Sequence, residues 1–195
     1  MKLIFRILSL AALVIAVSCS SKNTFSENDL KIIHTNSDSL LHIYSVENPQ
    51  ELEVLRTPSV NLTKEVINSE DFRILKERML KTASAAGAKG LAAPQVGINK
   101  AVVVIQRADK EGSPYEVYPN LFIKEVSKEM DISEETSLSI PEKKQYVDRY
   151  VVVVIQYYDI ESRKVKLDTI STYESAMFQH YTDHLDGILF TDNSW

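Results

Sequence analysis

The order of apolar and polar positions divides this chain into an apolar leader, a polar stretch, one amphipathic helix, a series of β-branched runs and a late helix. Over residues 72–86, Phe72, Leu75, Met79, Leu80, Ala83 and Ala86 recur near helical spacing, while Arg73, Lys76, Glu77, Arg78 and Lys81 fill most of the other face. Ser69 is placed to cap that helix and Gly87 to end it. Residues 101–106 form a β-branched apolar run of the kind found in a buried strand. Residues 116–126 give an extended candidate with Pro119-Asn120 as its irregularity; residues 147–158 give a long β run and residues 165–170 a shorter one. Residues 52–58 read as a short extended stretch ending at Pro58. The late helix opens on Ser171-Thr172-Tyr173-Glu174, a capping-box pattern, and Gly187 closes it as a left-handed C-cap. One helix, then strands, then one late helix predict an α+β fold, with a mostly antiparallel sheet around the C-terminal helix.

The leader changes the picture of where the chain works. Lys2 and Arg6 precede the apolar residues 7–17, and Ser18-Cys19 is followed by polar Ser20-Ser21-Lys22-Asn23. The apolar run falls short of the ~20 residues a membrane-spanning helix needs. Small residues before a single cysteine look like a bacterial lipoprotein cleavage site, with Ala16 where Leu is usual. That resemblance implies a signal peptide over 1–18, lipidation of Cys19, and export to the cell envelope with attachment to the membrane through the lipid anchor. Residues 19–42, polar and without period, read as a flexible tether, and residues 43–195 as one folded domain. Cys19 is the only cysteine, so the mature domain has neither a disulfide nor a thiolate for a metal. The net charge of −5 and the absence of a basic run exclude nucleic acid as a partner.

Two of the four histidines, His180 and His184, stand four apart in the late helix, so they share one face a turn apart, as a two-histidine metal site requires. Such a pair also arises without a metal. The metal-hydrolase pattern places Glu after the first histidine as general base; here Tyr181 stands there, and a phenol is protonated at neutral pH. His34 and His42 read as surface or tether residues.

Three ordered blocks then fall into register: Ala88-Lys89-Gly90-Leu91-Ala92-Ala93-Pro94-Gln95, Glu135-Thr136-Ser137-Leu138-Ser139, and Gln179-His180-Tyr181-Thr182-Asp183-His184-Leu185-Asp186-Gly187. Together they resemble the peptide deformylase family over residues 43–192. The resemblance implies a divalent metal (Fe, Zn or Ni) held at the positions of Ser137, His180 and His184, and a formyl oxygen bound by Gln95 and the Leu138 N–H. It also implies a short peptide paired along Gly90, Leu91 and Ala92. Two residues depart from the pattern: Ser137 replaces the ligating cysteine, and Tyr181 replaces the Glu that handles the water proton. A neutral hydroxyl for a thiolate lowers metal affinity, so the expectation is low metal occupancy or, preferred, none. Losing a general base typically removes ~10²–10⁴ in rate.

Other residues have plainer readings. Gln95 could be a buried amide that satisfies the core, and Asp183 a helix-surface acid or one that orients a histidine. Glu135 is expected to pair with Arg149, and Glu134 and Glu142 to sit on a solvated loop. Three functions compete on this sequence. The first, preferred, is a peptide-binding or interaction lipoprotein on a deformylase scaffold without efficient catalysis. The second is a metal-dependent peptide deformylase or amide hydrolase with a rearranged site. The third is a structural envelope lipoprotein.

Overall fold

The computed structural model describes residues 24–192. The expected signal peptide and the lipidation site Cys19 lie outside the described residues. Four helices come first: α1 (Glu27–His34), α2 (Pro49–Leu55), α3 (Lys64–Ile67) and α4 (Glu70–Ala85). Eight strands follow: β1 (Gly90–Ala92), β2 (Val102–Gln106), β3 (Tyr115–Pro119), β4 (Phe122–Val126), β5 (Met130–Ser137), β6 (Ile140–Tyr150), β7 (Val152–Asp159) and β8 (Lys164–Ser171). The last helix is α5 (Thr172–Leu185). The strands form three antiparallel sheets, ordered β1-β2-β3, β4-β7-β8 and β5-β6. This is the expected α+β architecture, with α5 packed against strands of all three sheets.

Strand β2 shows why residues 102–105 are apolar in succession. Val102 and Val104 join Phe72, Leu75 and Met79 of α4 in one core, while Val103 and Ile105 join Phe178, Tyr181 and Leu185 of α5 in another. Alternate residues of a strand point to opposite faces, so a strand sandwiched between two helices must be apolar at every position. Helix α4 matches its periodicity: Ser69 Oγ accepts from the Phe72 N–H, and Gly87 follows with φ of 60°.

Several sequence expectations give way. Part of the supposed tether is ordered and docked. Ser26 and Asp29 close a capping box on α1, Ile33 is fully buried against the α4 core, and Arg78 donates to the Ile33 carbonyl at 3.0 Å. The polar composition concealed this helix because only one narrow side of it is buried. Residues 49–55 are helical rather than extended, since Asn48 caps the Gln50 and Glu51 N–H groups and Pro49 occupies the first turn, where no N–H is required. The 116–126 run splits at Asn120, whose φ of 55° turns the chain from one sheet to another. The 147–158 run splits at Val151 between β6 and β7, which also lie in different sheets. The capping box at the start of α5 does not form: the Ser171 side chain makes no cap bond, and Thr172 has φ of 59°. Gly187 does turn left-handed after the helix, with φ of 74°, and a Cβ there would meet the Arg56 carbonyl oxygen at 2.4 Å. Glu134 and Glu142 are exposed as expected, but both lie in the β5–β6 hairpin rather than in a loop.

Candidate functional site

The first block builds one wall of the site. After β1, residues 93–96 make a single 3₁₀ turn that ends at Gly97 with φ of 86°. This turn aims the Gln95 side chain back at its own strand, where Oε1 accepts from the Ala92 N–H at 2.9 Å. The amide's other end then has to point outward, and Nε2 donates to Ser137 Oγ and Ser139 Oγ, each at 3.2 Å. Gln95 therefore satisfies the core and reaches the site with the same amide.

The hairpin between β5 and β6 supplies Ser137, Leu138 and Ser139. Ser137 Oγ receives the Gln95 amide and, at 3.2 Å, the Ser139 N–H. With both lone pairs engaged, its hydrogen goes to His184 Nε2, also at 3.2 Å. His184 then carries its proton on Nδ1, a buried atom with no partner. Burial, with His180 and Arg149 nearby, holds the His184 pKa well below the usual histidine range, which fits a ring that stays neutral.

His180 is held from the other side. Its Nδ1 donates to Glu135 Oε2 at 2.9 Å, which leaves Nε2 for the cavity the ring lines. Glu135 is fully buried and takes a bidentate pair from Arg149 at 2.6 and 2.9 Å, as expected. Burial pushes the Glu135 carboxyl up, but the bonds from His180 and Arg149 outweigh it and hold the pKa below the usual range. Arg149 also reaches Asp183 at 2.7 Å, so Asp183 supports His180 through Arg149 and Glu135. Burial raises the Asp183 pKa, against the pull of Arg149.

Tyr181 sits beside both histidines, edge-on to His180 at 5.0 Å and nearly parallel to His184 at 6.4 Å. Its ring is buried and lies against Gly90, where a Cβ would stand 2.4 Å from Tyr181 Cε2. Burial pushes the phenol pKa further up, so Tyr181 cannot act as a base near neutral pH.

Gly90, Gln95, Ser137, Leu138, His180 and Tyr181 line one cavity of about 280 Å³, with His184 behind Ser137. Leu91 and Ala92, expected in the groove, are instead fully buried in the two cores, because both faces of β1 are covered. Tyr173 and Met177 of α5 also line the cavity. The sequence held a signal for them: they precede His180 by seven and three residues, and so share its helix face. His34 and His42 do not line the cavity and are paired at the surface with Asp71 and Glu51.

The donor set does not fit a tightly held divalent cation. It offers two imidazoles and a hydroxyl whose lone pairs and proton are already committed to Gln95, Ser139 and His184. It contains no anionic donor, and Tyr181 keeps its proton. Among the described residues, no group of three His, Cys, Asp or Glu is arranged to hold a metal.

Comparison with known proteins agrees with this architecture. The family model described as Polypeptide deformylase matches residues 40–194. Peptide deformylase of Microchaete diplosiphon is 39% identical over 140 residues, covering 71% of this chain and 73% of that protein. Peptide deformylase 2 of Gloeobacter violaceus is 38% identical over 126 residues, covering 64% and 66%. Among solved structures, a class I type b peptide deformylase from Acinetobacter baumannii superposes with a TM-score of 0.73 at 26% identity, over 80% of this chain and 99% of that one. The Thermotoga maritima peptide deformylase gives 0.70 at 29% identity, over the same shares. The three blocks, the antiparallel sheets around a histidine-bearing helix and these relatives together place the chain in the peptide deformylase family.

Proposed function

We propose that this chain receives the N-terminal end of an extended peptide in its cleft and does not carry out efficient metal-dependent deformylation. The observation that carries the reading is the committed state of Ser137. Its oxygen is bonded by Gln95 and Ser139, and its proton by His184, where the family pattern has a metal-ligating thiolate. Tyr181 removes the carboxylate base beside it. The cavity itself persists, open beside β1 and the β5–β6 turn, with Leu138 at its rim. A crystal structure of the A. baumannii relative holds Met-Ala-Ser, which supports a short peptide as the ligand class here.

The names of the relatives favour a second reading, a peptide deformylase whose site is rearranged around the same histidines. One experiment separates the two. Wild-type protein purified without a histidine tag is assayed for bound transition metal and for turnover of a formyl-Met peptide, beside Ser137→Cys, Tyr181→Glu and the double variant. The proposal expects little metal and no meaningful turnover in wild type. It expects metal binding to return with Ser137→Cys, and any hydrolysis chiefly in the double variant, since metal and base serve different steps. Stoichiometric metal in wild type that disappears in His180→Ala, together with turnover, would establish the deformylase reading instead.

We further propose that Cys19 is acylated and that the domain works at the bacterial cell envelope, supported by the charged start, the apolar run and the small residues before the single cysteine. Formylated nascent chains emerge in the cytoplasm, so this location also weighs against housekeeping deformylation.

A further inference from the structure

We infer that His180, held by Glu135, is a general base that sets water on the acyl carbon of a small activated ester in this cleft. This is a hydrolysis without a bound cation, and it goes beyond the capture of a peptide.

The groups behind the ring fix its direction. His180 Nδ1 donates to Glu135 Oε2 at 2.9 Å, and Arg149 grips the same carboxylate with two further bonds. The bond made by one imidazole nitrogen sets the state of the other, so Nε2 carries a lone pair. Among the described residues nothing bonds that nitrogen, and yet it is not sealed in. His184 Nδ1 is buried without a partner; His180 Nε2 is not, and so it opens onto the cavity its ring lines. A buried carboxylate behind an imidazole, with the far nitrogen free, is how an imidazole is set to take a proton from water or a hydroxyl.

The other wall supplies the complement. The donor set around Ser137 does not fit a tightly held divalent cation, which leaves the Nε2 lone pair for a proton. His184, bonded to Ser137, stacks its ring 5.0 Å from that of His180, so base and Ser137 are close neighbours. Gln95 Nε2 donates to Ser137 Oγ and Ser139 Oγ. The first of these bonds can pass to the acyl oxygen as negative charge builds there, since Ser137 keeps the Ser139 N–H. Water on His180 gives its proton to Nε2 while its oxygen bonds to the acyl carbon. The bond from that carbon to the ester oxygen breaks, the alcohol leaves as its anion, and His180 releases the proton to it through solvent. One ester and one water become one acid and one alcohol. His180 supplies a base and no acid, so the leaving group must depart as an anion, which favours esters of acidic alcohols over amides. A cavity of about 280 Å³ suits a short acyl group.

The test uses protein stripped with a chelator, shown by elemental analysis to hold no transition metal, and p-nitrophenyl acetate as the ester. Wild type should hydrolyse it roughly 100-fold or more faster than His180→Gln. His34→Gln/His42→Gln, which loses two surface imidazoles, should keep the wild-type rate. The wild-type rate should fall in heavy water, and intact mass should show no acetyl group on Ser137 or His180. Equal rates in wild type and His180→Gln overturn the inference, as does hydrolysis that disappears with the metal. An acetyl group building up on Ser137 also overturns it, because the serine and not water is then the nucleophile. Should His180→Gln fold poorly, ¹⁵N-histidine spectra of wild type decide the geometry. His180 should carry its proton on Nδ1 with Nε2 bare at neutral pH, and a protonated Nε2 overturns the base. The peptide reading is decided separately, by metal content and formyl-Met turnover, and stands or falls without this result.

Discussion

Removing the carboxylate of Glu135 tests whether the support beneath His180 is one energetic unit. The side chain is fully buried and accepts three hydrogen bonds, two from Arg149 and one from His180. Deleting one partner of a buried ion pair costs about 3–5 kcal/mol, because the remaining charge is left uncompensated. Arg149 keeps Asp183 at 2.7 Å, which places Glu135→Ala near the lower end, about 3 kcal/mol. For a domain of this size, that is a Tm lower by roughly 6–12 °C. Urea unfolding of the single variants and of Glu135→Ala/Arg149→Met gives the coupling directly. The double variant should cost less than the sum of the singles by about 1–3 kcal/mol. The pH dependence has a definite sign: Glu135 has a lowered folded pKa, so its stabilisation is present above the unfolded glutamate value of ~4.3 and is lost as pH falls through the folded value. A Glu135→Ala cost under about 1 kcal/mol, or simple additivity with Arg149→Met, would refute this reasoning.

Three further outcomes are expected. Ile33→Ala should destabilise the protein by about 2–4 kcal/mol and open residues 27–34 to proteolysis, because the side chain is fully buried between α1 and α4; unchanged protease resistance would contradict the docking. Between pH 7 and pH 5, wild type should lose stability at up to about 1.4 kcal/mol per pH unit. His184 stays neutral in the fold while the unfolded chain binds a proton below pH ~6.5, and a urea midpoint that is flat over this range would count against it. Cys19→Ser should abolish incorporation of labelled palmitate and release the protein from membranes, and equal labelling of both forms would end the lipoprotein proposal.

Much of the fold was legible where a residue pattern has a single physical cause. The α4 stripe and the apolar residues 102–105 of β2 each faced a core the sequence could announce. The three blocks marked Gln95, Ser137, His180 and His184, and the structure brings all four together. What escaped depended on partners remote in sequence. Helix α1 rests on Ile33 and on Arg78, forty-five residues later. Strand β5 carries Ser133, Glu134, Glu135 and Thr136 and has no apolar run, because much of it faces solvent and its one fully buried side chain, Glu135, is an ion-pair partner. The commitment of Ser137 could not be read from the serine itself, since it follows from two donors and one acceptor brought from three segments.

The docking of α1 also limits how far the domain can travel. A tether running freely from Cys19 to residue 43 could extend roughly 80 Å, enough for the cleft to sample both its own membrane and the space beyond it. Helix α1 is docked from its cap at Ser26, only about seven residues after the proposed anchor, a reach of at most ~25 Å. An acylated form would therefore be held close to the lipid surface, with α1 nearest to it. The cleft would then meet only those chain ends that come within a few nanometres of the bilayer. Whatever this protein captures would be selected first by its height above the membrane, and only afterwards by its sequence.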